Sequence, residues 1–164
     1  MSQSHGPISS KMAGSNAEAG VIDERPEFVH LPDHDVEHAD ARVAELVEAT
    51  PELPIAGMCL LEVGTLVEIK SAMVRLNDGS RGRYYLREGQ HAKLVNDGAV
   101  YLFAVCVPNP DRDILALKAV PATRVEEIVD GDWRAAGEGR PRCYQLSWGR
   151  VFHASEVNGG PLND

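Results

Sequence analysis

Residues 64–72 read Gly64-Thr65-Leu66-Val67-Glu68-Ile69-Lys70-Ser71-Ala72. A turn-forming pair leads into an apolar run that carries an acid and a base two positions apart. In a strand, residues two apart share a face. Glu68 and Lys70 therefore project together from a segment otherwise suited to a core. A buried charge is costly unless it is paired or bound. Either this strand has one wet face, or the two charges form a site.

The segments around this strand supply a fold class. Residues 39–50, "ADARVAELVEAT", carry Val43, Leu46 and Val47 at helical spacing, with Asp40 placed to favour the N-terminus, and read as a helix. "GMCLLEV" at 57–63 reads as a strand joined to the 66–76 strand by a turn at Gly64-Thr65. "NDGSRG" is a turn, and "RYYLR" at 83–87 a short third strand. "REGQHAKLVNDG" reads as a helix closed by Gly98. "AVYLFAVCV" is nearly continuous in apolar residues, as a central strand is, and "ILALKAV" is another strand. "PATRVEEIVDG" reads as a helix with Thr123 as a cap, and "RCYQLSWGRVF" as a last strand-like segment. The order predicts an α/β or α+β class, with a mixed central sheet flanked by helices. Residues 1–25 read as a disordered acidic tail, 26–153 as one domain and 154–164 as a flexible tail.

The chain of 164 residues carries a net charge of -9, with twelve arginines to only four lysines. Acidic excess with few lysines resembles proteins of salt-loving microbes, where strong salt screens long-range charge. In ordinary salt the same acidity argues against nucleic acid. The charge is uneven. Residues 65–94 carry Lys70, Arg75, Arg81, Arg83, Arg87 and Lys93 against three acids, so the basic segment surrounds the opening motif. No apolar run is long enough to span a membrane, and the N-terminus lacks the apolar core of a signal peptide. The expectation is a soluble, cytoplasmic protein. Cys59, Cys106 and Cys143 form no CxxC pair and read as small buried hydrophobes.

The 66–72 strand, the helix bearing Gln90 and the apolar strand that follows resemble the PD-(D/E)xK nuclease superfamily. More narrowly, they resemble its archaeal Holliday-junction resolvase-like and RecB-like members. The resemblance covers roughly residues 39–120 and implies a restriction-endonuclease-like α-β-β-β-α-β core. It implies hydrolysis of DNA phosphodiester bonds, in repair or recombination, with Mg²⁺ or Mn²⁺ bound by hard oxygen ligands. Glu68 and the Ile69 carbonyl would be metal ligands, Lys70 would assist the attacking water and the phosphate, and Gln90 would position them. Arg75, Arg81, Arg83, Arg87 and Lys93 would contact DNA phosphates. Tyr84 or Tyr85 would stack on a base or fill the core. By analogy with junction resolvases, a homodimer is one expected assembly.

The superfamily places an Asp on the preceding strand, near Met58-Cys59-Leu60, where this chain has none. Glu62 is the nearest acid. In a two-residue hairpin at Gly64-Thr65, Cys59 faces Lys70, and Glu62 points to the other side. A bulge or an odd turn would bring Glu62 beside Glu68 as a second metal ligand. Alternatively, Cys59 replaces the Asp, and the chain is a catalytically degenerate nuclease-fold module that binds DNA or a protein. Glu45 or Glu48 on the first predicted helix is a further acid, favoured as part of a solvated face. His30, His34 and His38, spaced by four, read as loop histidines, and Trp133 and Trp148 as covers of the core.

Overall fold

The computed structural model describes residues 18–31, 38–107 and 113–157. Its main sheet is organised by the strand that carries the opening motif. Residues 18–24 form helix α1. Strands β1 (Phe28–His30), β2 (Ala41–Val43), β3 (Val47–Glu48), β4 (Leu60–Leu61), β5 (Leu66–Met73) and β6 (Arg83–Arg87) follow. Then come helix α2 (Glu88–Asn96), β7 (Val100–Cys106), β8 (Ile114–Pro121), helix α3 (Ala122–Val129) and β9 (Cys143–Ser147). The five-stranded sheet has the order β1-β2-β5-β7-β8. β5 pairs with β7 in parallel and with β2 antiparallel, so the sheet is mixed. The run α1, β1, β2, β5, α2, β7 is the α-β-β-β-α-β order expected, but its first three members lie earlier in the chain than the sequence suggested.

β7 is buried at every residue, because α2, α3 and the β6 and β9 segments cover one face of the sheet, and α1 with residues 47–61 covers the other. Tyr101, Phe103 and Val105 point into the cluster formed with α2, α3, β6 and β9. Val100, Leu102 and Ala104 point into the opposite cluster with Val21, Phe28, Ala41, Val43, Val67 and Ile69. The period of two therefore places Val67 and Ile69 on the second face, and Glu68 and Ala72 on the α2 face. His91 of α2 is fully buried and ties three elements together. Its Nδ1 lies 2.7 Å from the Tyr101 hydroxyl on β7, and its Nε2 lies 2.5 Å from Glu126 on α3.

Several sequence expectations change. Residues 39–50 are not helical but contain β2 and β3, with Ala41, Val43 and Val47 buried and Leu46 exposed. Ala, Glu and Leu favour helix locally, and pairing with β5 and β4 overrides that weak preference. The 57–63 strand shrinks to β4, which pairs with β3, so no hairpin forms across Gly64-Thr65. "RYYLR" is a strand, but it pairs with β9 in a separate two-stranded ribbon. Residues 18–24, read as part of the tail, are helical, and Val21 is fully buried. Thr123 lies inside α3, whose N-cap is Pro121. Cys59 is exposed, whereas Cys106 and Cys143 are buried. Trp148 and Tyr84 are core residues, and Tyr85 is exposed. Residues 1–17, 158–164 and His34 lie outside the described residues.

The chain enters β6 through a close approach of backbone to backbone. The Gly82 N–H donates to the Met73 carbonyl at 3.0 Å. A Cβ at position 82 would meet that same carbonyl oxygen well inside contact distance, and the Met73 nitrogen at 2.8 Å. Gly82→Ala is expected to destabilise the protein by about 1–3 kcal/mol, the usual cost of overpacking. A thermal melt of this variant checks that; an unchanged midpoint would contradict the close approach.

Candidate active site

The β2–β5 ladder sets the geometry of the charged cluster. Asp40 immediately precedes β2. Its N–H donates to the Val67 carbonyl at 2.9 Å, and its Oδ2 accepts from the Ile69 N–H at 2.8 Å. The two bonds straddle Glu68 and fix the Asp40 carboxyl beside it. From α2, the Gln90 Nε2 donates to Glu68 Oε2 at 2.6 Å and to the His38 carbonyl at 3.3 Å. The Lys70 Nζ lies 3.0 Å from Glu68 Oε2 and donates to Gln90 Oε1 at 3.3 Å. The His38 ring in turn pairs with Asp97 just past α2, at 2.5 Å. The strand, the helix and the lead-in to β2 thus converge on one point.

The electrostatics are those of crowded, poorly hydrated carboxylates. Glu68 is only 4% exposed. Burial pushes its carboxyl up to about 8, against the pull of Lys70 and with the charge of Asp40 adding to the rise. Burial likewise pushes Asp40 up to about 6, and Glu18 of α1 adds to the rise. Two acids in contact share protons as a pair. With both ionised, Glu68 Oε1 is buried and no donor faces it. Such an oxygen carries the desolvation penalty of an unmade bond.

That orphaned oxygen is what a hard cation requires. A donor-poor set of carboxylate oxygens with Lys70 at its side fits a divalent ion that takes oxygen ligands and keeps several waters. Among the described residues, no three His, Cys, Asp or Glu side chains are arranged to hold a metal by themselves. An ion here would take Asp40, Glu68 and a backbone carbonyl, and complete its shell with water or phosphate.

The structure brings Glu68, Lys70 and Gln90 together, with Ile69 between the first two. Glu62 is exposed at the turn before β5, its carbonyl accepting from Thr65 at 2.7 Å, and it stands outside the cluster. The acid beside Glu68 is Asp40. Neither a bulge at Glu62 nor a substitution by Cys59 is needed, because the strand preceding β5 in the sheet is β2. Asp40 and Glu18 were missed by sequence reasoning. The signal for Asp40 was the inward alternation of Ala41 and Val43, which a strand requires and which the helical pattern masked. Glu45 and Glu48 lie on an exposed stretch. Arg83, Arg87 and Lys93 are exposed along β6 and α2. Arg75 donates to the Gly79 carbonyl, and Arg81 stacks on the Trp148 ring at 4.5 Å.

A mixed sheet that presents an acid, an acid-x-Lys strand and a helix glutamine to one point defines a nuclease-type α/β domain. The model of the PD-(D/E)XK nuclease superfamily domain matches residues 3–153. The chain belongs to that superfamily, whose members generally use divalent metal ions. No curated protein and no solved structure matches it. No described helix is long and apolar enough to cross a membrane.

The pair of raised acids makes the metal-free protein pH-dependent. A carboxyl whose folded pKa lies above its unfolded value contributes stability that is fully present below the unfolded pKa and is lost as pH rises through the folded one. For Glu68 that window runs from about 4.5 to about 8. In chelator, the melting midpoint of the wild type is expected to fall across this window more steeply than that of Glu68→Gln, which removes the titration. Parallel profiles would contradict the assigned environment.

Proposed function

We propose that this protein is a Mg²⁺- or Mn²⁺-dependent nuclease that hydrolyses DNA phosphodiester bonds. The observation that carries the reading is the Asp40–Glu68–Lys70 cluster, tied to Gln90, on the α2 face of a superfamily sheet. Asp40, Glu68 and the Ile69 carbonyl would hold the ion, and Glu18 stands close enough to Asp40 to add a carboxylate through water. When bound, the ion supplies charge neutralisation at the phosphate and a more acidic water. Lys70 orients the attacking water and donates to the charge that develops on the phosphate. Gln90 holds Lys70 and Glu68 in register through its two ends. Its amide is an inexpensive clamp, because it satisfies an acceptor and a donor at once without adding charge.

Of the cations the resemblance assigns to DNA, Arg83, Arg87 and Lys93 are exposed to meet a backbone. Arg75 and Arg81 already have partners within the fold and contribute as positive charge at longer range. The degenerate-module reading arose from the absence of an Asp near Cys59, and Asp40 removes that motive. Resemblance to junction-resolving and RecB-like enzymes supports a setting in repair or recombination, and the acidic composition supports assay in concentrated salt.

Calorimetric titration of Mn²⁺ tests the proposal. Uptake by the wild type and its loss in Glu68→Gln is the expected result. Equal uptake by both would remove Glu68 from the metal site.

A further inference from the structure

The ribbon of β6 and β9 carries a second feature that the metal cluster does not use. A cavity of about 550 Å³ opens beside it, lined by Arg83, Tyr85, Asp132, Arg134, Arg140 and Gln145 among others. The cavity is built by backbone pairing. Arg134 exchanges both N–H···O bonds with Cys143 of β9, at 2.9 Å each, which adds the 134 segment to the ribbon as a third edge. A turn brings Arg140 back, its N–H donating to the Gly137 carbonyl at 3.1 Å. Gly137 and Gly139 have φ of 121° and 74°, values that side-chain-bearing residues rarely adopt.

The charge in this cavity runs against that of the chain. Arg83, Arg134 and Arg140 are all exposed, and Arg87 lies near enough to act on the Tyr85 hydroxyl together with Arg140. Asp132 pairs with Arg134 at 3.1 Å, the charge of Asp78 acts on Arg83, and Glu138 is a further exposed acid in the turn before Arg140. Arg83 also donates to Gln145 at 3.3 Å. Guanidinium groups match phosphate geometry in a planar, bidentate way. Tyr85 is 41% exposed, although its neighbours in β6, Tyr84 and Leu86, are fully buried. The strand period turns its ring outward among the arginines.

We infer that the cleft of Arg83, Tyr85, Arg134 and Arg140 binds one strand of single-stranded DNA, with the arginines on backbone phosphates and Tyr85 stacked on a base. The aromatic ring favours a single strand, because a base must be unpaired and unstacked to lie on an aromatic face. β6 runs directly into α2, so Tyr85 and Gln90 lie within about 15 Å of each other along the chain. A strand held in the cleft can therefore reach the metal cluster within a few nucleotides. The choice of nucleic acid as the ligand rests on the nuclease reading.

The test is fluorescence anisotropy of a labelled oligothymidylate and of a labelled duplex, in chelator so that nothing is cut. The proteins are the full chain, Arg134→Ala/Arg140→Ala and Tyr85→Ala. The wild type should bind the single strand more tightly than the duplex. The double arginine variant should bind the single strand about tenfold more weakly, with a salt slope shallower by about 1.4, the loss of two phosphate contacts. Tyr85→Ala should weaken single-strand binding by about tenfold and leave duplex binding unchanged. Unchanged single-strand binding in the double variant, or equal losses for both DNAs, would overturn the inference. Cleavage is read separately. Metal-dependent cutting with an inert cleft sinks the cleft alone, and arginine-dependent binding without any cutting sinks the nuclease reading alone.

Discussion

Lys70→Ala is expected to lower metal-dependent cleavage by about 10²–10³-fold while leaving Mn²⁺ uptake in place. The magnitude is that of removing one preorganised donor aimed at developing charge. The separation follows from the contacts. Lys70 touches Glu68 Oε2 and Gln90 Oε1, whereas Glu68 Oε1 has no hydrogen-bond partner and Asp40 is held by the Ile69 N–H. Deleting the ammonium leaves the oxygen ligands standing. It also removes the charge that opposes the rise of the Glu68 carboxyl, so the variant should take up Mn²⁺ at a somewhat higher pH. Single-turnover cleavage beside calorimetry checks both halves. Full activity in Lys70→Ala would remove it from the chemistry.

The second large effect separates Asp40 from Glu62. Asp40→Asn keeps the shape and the capacity to accept from the Ile69 N–H, and removes only charge. On the proposed site it loses a metal ligand, and metal-dependent cleavage is expected to fall by about a hundredfold or more, beyond the usual cost of losing an outer partner. In the metal-free protein the same change relieves the repulsion of Glu68, so the melting midpoint in chelator should rise. Glu62→Gln alters an exposed side chain at a turn and is expected to change neither quantity. If Glu62→Gln abolished cleavage and Asp40→Asn did not, the site would have to be rebuilt around the turn before β5.

The contrast between these two acids shows how far the sequence could be read. Glu68 and Lys70 sharing a face follows from the strand period alone, and the structure places both against α2. The helix that carries Gln90 was legible in "REGQHAKLVNDG", and the part given to Gln90 followed from the family resemblance alone. Asp40 was not legible, since a three-residue strand carries too little pattern to outweigh the helical spacing of Val43, Leu46 and Val47. What decides β2 is its partner, 24 to 26 residues later in the chain at Leu66–Val67, and local preference holds no information about that partner. The same applies to β6. Its strand character was plain in "RYYLR", but its pairing with β9, across about sixty residues, could be found only in three dimensions. The hairpin expected at Gly64-Thr65 failed for a related reason. The Gly64 N–H bonds to the Val43 carbonyl, so the turn serves β2 and not its own neighbours.

On the proposed function, this cluster cuts DNA with a divalent ion. The most direct measurement is cleavage of labelled single-stranded, duplex and four-way-junction DNA in concentrated KCl, with Mg²⁺ or Mn²⁺ and again with chelator. Cuts in at least one of the three that require the ion and disappear in chelator are the expected result. No cutting of any substrate by a folded protein that takes up Mn²⁺, or cutting that persists in chelator, would contradict it.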